Sequence, residues 1–269
     1  MRSFLKWAGG KYKLAGMISQ YIGNGNRFVE PFAGSCAVAL NTNYESYWIN
    51  DVNKDLISLY LIITGQESDF NLFMEYVEKY FLDNGNDSTV YYELRSLFNK
   101  ETNPVKRAAL FLYLNRHGYN GLCRYNSQGQ FNVPFGKYKT IYYPTEELMF
   151  FRSKLRHAKI TCSDFREVLN NVGKGDVVYC DPPYVPISKT ANFAEYTPGS
   201  FGIKDQQDLA VLAKDAASRG AVVAISNHYN DITEELYKDS EMVVFDVQRS
   251  ISCNASTRKP VKEVLAIYR

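Results

Sequence analysis

The sequence predicts an α/β chain: a mostly parallel sheet with a helical block inserted in it and an antiparallel last strand. Three observations predict this. Short apolar runs ending in an acid or amide alternate with stretches whose apolar residues fall at three- and four-residue spacing, the two periods of strand and helix. From Leu56 to about Asn115 that alternation stops and only the helical spacing continues. Finally, the strand-like runs Met242 to Val247 and Val264 to Tyr268 have only a polar basic loop, Arg249 to Lys259, between them. Consecutive strands joined by a loop rather than a crossover pair antiparallel.

The chain can bury a full core at 269 residues. Its net charge is +2, which excludes a whole-molecule polycation and confines any nucleic-acid surface to a local patch. Aromatics make up 14% of residues, with 21 tyrosines, a residue able to stack on bases while tolerating water. The cysteines Cys36, Cys123, Cys162, Cys180 and Cys253 are odd in number and form no Cys-x-x-Cys pair. With His117, His157 and His228 scattered, no zinc-ligand spacing exists, so no metal is expected. No apolar run approaches membrane-spanning length. The expectation is a soluble cytoplasmic protein with reduced thiols and no membrane partner.

Taken in order, Phe4-Leu5-Lys6-Trp7-Ala8-Gly9-Gly10-Lys11 comes first. A phosphate-loop reading fails, because the earlier glycine would fall at Leu5 and Tyr12 stands where Ser or Thr is needed. What remains is a Gly-Gly turn feeding a helix from about Lys11 to Tyr21, leaving Trp7 and Lys11 to face a ligand or simply to pack and be solvated. A short strand then runs into the small-residue turn Phe32-Ala33-Gly34-Ser35-Cys36 and a helix through about Asn41. Small residues let the backbone approach a ligand closely at a first-strand turn. A second strand, Tyr47 to Asp51, ends in an acid about 20 residues after the glycine turn, where an acid meets ribose hydroxyls. The full G-x-G-x-x-G is missing, so a mononucleoside pocket fits better than a dinucleotide one.

The helical block reads as Leu56 to Thr64, Phe70 to Phe81, Val90 to Asn99 and Val105 to Asn115, punctuated by Gly85 to Ser88 and Thr102 to Pro104. Arg116 to Asn126, a Ser127-Gln128-Gly129-Gln130 turn and Phe131 to Lys139 then alternate polar and aromatic residues, as a β-hairpin does, with Pro134 on an edge. Arg116, Arg124, Lys137 and Lys139 make that ribbon basic; it can hold phosphates and read guanine, or be an ordinary solvated hairpin. A strand at Ile160 to Cys162 and a helix from Phe165 to Asn170 follow.

Gly175 to Tyr184 reads as a buried strand, Val177 to Cys180, that ends in Asp181-Pro182-Pro183-Tyr184. The prolines forbid continuation of ladder or helix. At the carboxyl edge of an open α/β sheet, where ligands sit, this presents a carboxylate, the Pro182 carbonyl and the Tyr184 ring on a stiff turn. Two acceptors for one amine draw an aryl nitrogen toward tetrahedral geometry and localise its lone pair, while a ring stacks on the base. An acid-capped proline turn accounts for the same letters, so the other motifs decide. The polar stretch Val185 to Gly202 is either a lid or an inert loop. A helix from Lys204 to Ser218, a strand Ala221 to Ile225 ending in Ser226-Asn227-His228, and a helix Thr233 to Tyr237 complete the chain up to its last two strands.

Together, the Phe4 to Lys11 segment, Glu30-Pro31-Phe32-Ala33-Gly34, Asn50-Asp51, Tyr113 to Gly136, Asp181 to Tyr184 and Ser226-Asn227-His228 closely resemble the Dam-type DNA adenine-N6 methyltransferases, in the motif order of the alpha group of amino methyltransferases. The resemblance implies a Rossmann-like, S-adenosylmethionine-dependent methyltransferase sheet with an antiparallel last strand and an inserted helical and β-hairpin DNA-recognition domain. The divisions would be 1–55 (catalytic, cofactor-binding part), 56–144 (target recognition, with the hairpin at 118–139) and 145–269 (second catalytic part). The implied cofactor is S-adenosyl-L-methionine, and the implied partner is double-stranded DNA with a GATC-like site. The protein would be monomeric in solution, with more than one copy able to share a duplex.

Carried over residue by residue, Trp7, Lys11, Phe32, Gly34, Asp51 and Asp181 would bind cofactor. Asp181, Pro182 and Tyr184 would handle a flipped adenine. Lys6 and Arg124 would read the site, Leu122 and Pro134 would touch a thymine methyl, and Tyr119 and Asn120 would border the vacated stack. Arg95, Arg116, Asn126, Asn132 and Lys137 would complete the DNA contacts. Two departures stand out: Cys36 where the family's first motif usually has a glycine, and a hairpin turn without the charge that relatives often carry. The rivals are another amino methyltransferase (cytosine-N4, RNA or protein amide) and a catalytically inactive DNA-binding subunit.

Overall fold

The computed structural model describes residues 1–82, 86–184, 201–247 and 261–269. The expected turn at Gly85 starts outside them, as does the stretch expected from Val185, up to Ser200, and the loop Arg249 to Lys259 lies outside them entirely. Strands β1 (Arg27–Glu30), β2 (Ser46–Asn50), β3 (Lys159–Thr161), β4 (Asp176–Cys180), β5 (Val222–His228), β6 (Glu241–Val247) and β7 (Val261–Tyr268) form one sheet in the order β3-β2-β1-β4-β5-β7-β6. β1 runs parallel to β2 and β4, and β4 parallel to β5. β7 is antiparallel to both β5 and β6. The α/β class and the reversed last strand are as expected; the reversed strand lies inside the sheet, with β6 at the edge.

The chain divides into two compact units: Met1–Gly16, Ala33–Asn43 and Asp51–Cys162 in the first, Met17–Phe32, Tyr44–Asn50 and Ser163–Arg269 in the second. In the second unit β4 is buried along its whole length, which is why it reads as an unbroken apolar run rather than an alternating one. Asp176 at its start is tied to β1 by a bidentate bridge from Arg27, at 2.8 Å for both Nε and Nη2. Beside the sheet pack α7 (Phe165–Asn170) and α8 (Ile203–Ser218). Asp164 caps α7 by accepting from the Arg166 amide at 2.8 Å. Arg166 then bonds Asp164, Asp205 and Asp208, so the first turn of α8 is held to the start of α7. Asp205 accepts from the Gly202 amide at 2.8 Å, satisfying an otherwise orphaned donor at that end. A short α9 (Asp231–Leu236) carries its own cap, Asn230.

In the first unit α1 (Ala15–Ile22) begins at its edge, and α2 (Lys54–Thr64), α3 (Glu67–Leu82), α4 (Ser88–Phe98), α5 (Pro104–His117) and α6 (Thr145–Leu155) build a helical bundle. Asn53, Asp87 and Asn103 cap α2, α4 and α5, and Pro104 opens α5 at N1 as expected. Phe4 packs edge-on against Phe151 with ring centroids 5.0 Å apart, and Tyr60 lies 4.7 Å from Phe151. Tyr60, Tyr91, Tyr113, Tyr179 and Tyr237 are among the largest fully buried side chains. Much of the tyrosine surplus therefore builds core rather than a stacking surface.

Four expectations need correction. α1 starts at Ala15, because turns at residues 8–9 and 12–14 precede it, with Gly9 at φ +75°. After Gly34 there is only a 3-10 turn, Ala39–Asn41, since Gly34 and Cys36 both stand in left-handed backbone, at φ +45° and +54°. Residues 118–139 form no ladder; two isolated bridges, Gly118 to Phe135 and Tyr125 to Phe131, mark the return. And α6 was not foreseen, although Leu148, Phe151, Arg152 and Leu155 are buried at helical spacing behind acids at Glu146 and Glu147.

One polar knot holds α2, α5 and the 118–139 segment together. Asp55 receives Arg107 Nε at 2.7 Å, Arg107 Nη2 at 3.1 Å and the Tyr125 hydroxyl at 2.7 Å. Replacing Asp55 by Ala strands a largely buried guanidinium, so the expected cost is about 1.5–3 kcal/mol. Urea titration checks it as a lowered midpoint at unchanged m-value; Tyr125→Phe should cost only about 1 kcal/mol.

Candidate active site

Two prolines in succession leave the chain after Cys180 without a backbone donor at either position. What holds the Asp181-Pro182-Pro183-Tyr184 corner is therefore its carbonyls and rings. Gln206, in the first turn of α8 and 2% exposed, donates Nε2 to the Pro183 carbonyl at 2.7 Å. Gln206 Oε1 accepts from Asn227 Nδ2 at 3.0 Å and from the Tyr237 hydroxyl at 3.2 Å. The Tyr184 hydroxyl donates to Glu263 Oε2 at 3.1 Å, and its ring meets His228 edge-on at 4.7 Å. Ser226, next along β5, bonds the Tyr179 hydroxyl at 2.8 Å. The second polar edge read from Ser226-Asn227-His228 thus packs against the corner and the strand leading to it.

Asp181 and Tyr184 are half-buried and Pro182 is buried. Burial, reinforced by the Asp181 charge, pushes the Tyr179 and Tyr184 phenols well above their ordinary range. Tyr184 is consequently a neutral ring at any working pH, suited to stacking rather than proton transfer.

The first unit contains the glycine turn and its acid. Asp51 Oδ2 accepts from the Gly34 amide at 2.9 Å, and Oδ1 accepts from the Asn53 amide at 2.9 Å. Burial pushes the Asp51 carboxyl up while these amide bonds, with one from Val52, pull it down. Three amide donors on about four lone-pair sites leave the carboxylate room for a further donor. A Cβ on Gly34 would stand 2.6 Å from Trp7 Nε1, so the indole lies directly on the glycine. The Tyr60 hydroxyl bonds the Gly34 carbonyl. Lys11 is buried with Nζ on the Gly9 carbonyl at 2.9 Å. Trp7, Lys11, Gly34 and Asp51 are thus brought together around one turn. Phe32 is used otherwise: its ring stacks on Phe165 at 5.2 Å and meets Phe201 at 5.5 Å. Cys36 is wholly buried in the left-handed region, a conformational cost of about 1–3 kcal/mol that a glycine would avoid.

The two arms of the 118–139 segment meet at a few backbone bonds, among them Asn132 N to the Arg124 carbonyl at 3.1 Å and Tyr119 N to the Pro134 carbonyl at 2.8 Å, and side chains of α4 and its C-cap Asn99 fix it further. Asn99 accepts from the Phe131 amide at 2.8 Å and donates to its carbonyl at 3.1 Å. The Val133 carbonyl receives the Tyr91 hydroxyl and Arg95 Nη1, each at 2.9 Å. Between these anchors Tyr119, Asn120, Arg124, Pro134 and Lys137 are exposed, and Leu122 is half-buried. Asn120 and Lys137 take left-handed backbone, at φ +53° and +49°, marking tight turns at each end. Arg124 Nε rests on Asn132 Oδ1 at 2.8 Å and Nη2 on the Asn132 carbonyl at 3.2 Å. Asn126 Oδ1 organises the turn by accepting from the amides of Gln128 and Gln130. A shallow pocket of about 280 Å³ opens between α4 and this segment, lined by Arg95, Lys100, Asn126 and Asn132 among others.

Arg116 is turned inward, half-buried, with Nη1 reaching toward the Phe4 carbonyl at 3.5 Å and its plane over Tyr142. Lys6 Nζ donates to the Arg116 carbonyl at 2.7 Å and sits 3.4 Å from the centre of the Tyr138 ring. Asn115, wholly buried, clamps this region: it accepts from the Lys6 amide at 2.9 Å and donates to the Lys6 and Gly121 carbonyls. Gln206, Asn115, Asn99 and Glu263 were not singled out from sequence. Each acts on a residue far away in the chain, and no local spacing announces that.

A seven-stranded sheet of this order, with an acid–proline–proline–tyrosine corner on its central β4, defines a methyltransferase of the α/β class. The profile of the D12 class N6 adenine-specific DNA methyltransferases matches residues 7–251, and the chain belongs to that family. It is 48% identical over 269 residues to the DNA adenine methylase of Serratia marcescens, covering all of this chain and 98% of the relative. It is 46% identical to that of Escherichia coli (strain K12), covering 100% and 95%, and 43% identical to that of Haemophilus influenzae, covering 99% and 93%. The protein is an adenine-specific DNA methyltransferase. Among the described residues no helix is long and apolar enough to cross a membrane, and no cluster of acids, cysteines and histidines could hold a metal.

Desolvation, and then the Arg116 charge, pull the Lys6 ammonium down to about 8. Because the folded value lies below that of the unfolded chain, keeping Lys6 charged costs stability below pH 8, and the cost is relieved as pH rises toward the unfolded value. Lys6→Met should therefore stabilise the protein by up to about 1 kcal/mol below about pH 8, after solvent screening, and the gain should fade as pH rises from about 8 to 10. Parallel thermal-melt pH series for the two proteins measure the difference.

Proposed function

We propose that this enzyme methylates N6 of a flipped-out adenine in a GATC-like duplex site, using S-adenosyl-L-methionine. The observation that carries this is the Asp181 to Tyr184 corner, held by Gln206, Glu263 and His228 at the end of a fully buried strand. Its acceptors suit an exocyclic amine and its ring a purine, while a duplex adenine must leave the stack to be reached. Leaving costs a few kcal/mol, which stacking on Tyr184 and the amine's bonds to Asp181 and the Pro182 carbonyl offset.

The residues of the glycine turn fit the cofactor. Gly34 gives close backbone approach, Trp7 an apolar face, Lys11 a cation and Asp51 an acceptor with capacity left for ribose hydroxyls. Phe32 contributes its backbone, its ring being committed to Phe165 and Phe201. When bound, the sulfonium supplies an activated methyl group, so the protein's main work is alignment. Asp181 holds the amine and takes part in fixing its geometry, and Tyr184 keeps the ring in plane.

Residues 56–144 serve as the target-recognition part, between the catalytic segments 1–55 and 145–269. Arg124 reads a guanine and Lys6 the opposite end of the site, Leu122 and Pro134 meet a thymine methyl, and Tyr119 and Asn120 border the vacated stack. Arg95, Asn126, Asn132 and Lys137 hold phosphates. Arg116 supports Lys6 through its carbonyl and reaches DNA only by leaving Tyr142. The enzyme acts as a cytoplasmic monomer, and more than one copy can share a duplex.

Asp181→Ala should abolish methylation while leaving duplex affinity within a few-fold of the parent, since phosphate contacts supply most of it. Labelled-methyl incorporation and a gel-shift titration measure the two, and incorporation near the parent rate overturns the assignment. Arg124→Ala should lower discrimination at one guanine by about 1–3 kcal/mol. Sequencing methylated bases on a plasmid treated with each protein reads both the site and its relaxation; unchanged selectivity removes Arg124 from the reading role.

A further inference from the structure

We propose that Gln206 is the positioning residue of the catalytic corner: by holding the Pro183 carbonyl it sets where the Tyr184 ring and the Pro182 carbonyl stand relative to Asp181. The inference rests on the assignment of the Asp181 to Tyr184 corner to the target base.

Each proline fixes its own φ near −65° and offers no N–H. The freedom left in Asp-Pro-Pro-Tyr lies in the ψ rotations, which swing the carbonyls. A carbonyl tethered at 2.7 Å by Gln206 removes the rotation at Pro183, and with it the direction in which the chain delivers Tyr184. Gln206 is itself immobilised. Both faces of its amide are occupied, Nε2 by the Pro183 carbonyl and Oε1 by Asn227 and the Tyr237 hydroxyl. Asn227 and Tyr237 are 0% exposed, and Asn227 Oδ1 accepts from the His228 amide at 2.9 Å. That amide belongs to the residue whose ring meets Tyr184.

The helix that carries Gln206 is pinned on its other side. Asp205, one residue earlier, receives Arg166, which also bonds Asp164 and Asp208. The result is a continuous path, Arg166 to α8 to Gln206 to Pro183, that fixes a segment unable to fix itself. A first-turn glutamine that is 2% exposed is a costly choice for packing alone, because an unpaired buried amide is penalised. It is explained if its donor is needed on a carbonyl whose own neighbours have none to give.

The test uses the full-length enzyme and a duplex with a single target adenine. Gln206→Met keeps length and burial but removes donor and acceptor. We expect single-turnover methyl transfer to fall tenfold or more, toward the ~100-fold that misplacement by an ångström costs, with DNA affinity within twofold of the parent. Gln206→Glu supplies a readout that mere packing would not move. An ionised carboxylate cannot donate to the Pro183 carbonyl, whereas the protonated acid can, and burial favours the protonated form. The variant-to-parent rate ratio should therefore climb as pH falls from about 8.5 to about 5.5. Transfer by Gln206→Met within twofold of the parent, or equal losses of transfer and DNA binding, overturns the proposal. If that variant does not fold, a rate ratio for Gln206→Glu that stays flat with pH overturns it instead. Asp181→Ala run alongside separates the two levels. An inactive Asp181→Ala with a fully active Gln206→Met refutes the positioning role alone, while full activity in both refutes the reading of the corner itself.

Discussion

The structure depends on what a chain does when it cannot hydrogen-bond itself. After Cys180 the sheet's central strand must stop, and Pro182 and Pro183 make it stop without offering a single backbone donor. A strand end of this kind is stiff in φ but floats unless its carbonyls are caught by something else. The capture comes from side chains: Gln206 on the Pro183 carbonyl, Glu263 on the Tyr184 hydroxyl, His228 against the Tyr184 ring. The proposed chemistry needs an amine acceptor pair and a stacking face held within a fraction of an ångström. A proline corner gives that rigidity only because α8, β5 and β7 of the same unit supply the missing contacts.

The same solution recurs wherever this chain departs from regular structure. The 118–139 segment pairs with itself only at scattered positions, and Tyr91 and Arg95 of α4 with its C-cap Asn99 take up the backbone groups of Phe131 and Val133. Asn115 does it for Lys6 and Gly121, and Asn50 for the carbonyls of Pro31 and Ser163. Asp51 and Tyr60 do it for the two faces of Gly34. Buried amides and acids are costly unless every lone pair and proton finds work, and in each case the work is a loop that has no ladder. These bonds tie the loop backbones to the elements that carry the side chains, the positioning that a reading or catalytic surface requires.

This pattern explains what could be read from sequence and what could not. β4 and its corner were legible because burial writes an unbroken apolar run and proline ends it, both within ten residues. The helices of 54–117 were legible from period and caps, with Asn53, Asp87 and Asn103 where a cap is needed. The turn at Gly34 and the acid at Asp51 were legible from spacing. Illegible were the relations that act at long range. Gln206 sits mid-pattern in an amphipathic helix, and nothing local distinguishes it from exposed Gln207 beside it. The 118–139 segment carries a hairpin's alternation, yet its two arms pair only at scattered backbone positions, and side chains at α4 take up further groups between them. Arg116, read as one more basic residue of a ribbon, is half-buried with its guanidinium over Tyr142 and toward the Phe4 carbonyl, while its backbone carbonyl takes Lys6 Nζ.

Charge follows the same logic. A net +2 spread over 269 residues provides no general attraction for a polyanion, so affinity must come from cations placed individually. Several of the placed cations are already engaged: Lys6 on a carbonyl and an aromatic face, Arg124 on Asn132, Arg95 on Val133 and Tyr92. A cation resting on neutral acceptors keeps its charge and its direction, and gives up little when a phosphate or a guanine replaces a carbonyl. A carboxylate partner would hold it harder and lower the net field. These three rest on amides, carbonyls and rings, while Arg107, Arg152 and Arg166 are paired with acids, a division that agrees with the DNA contacts proposed for the first three.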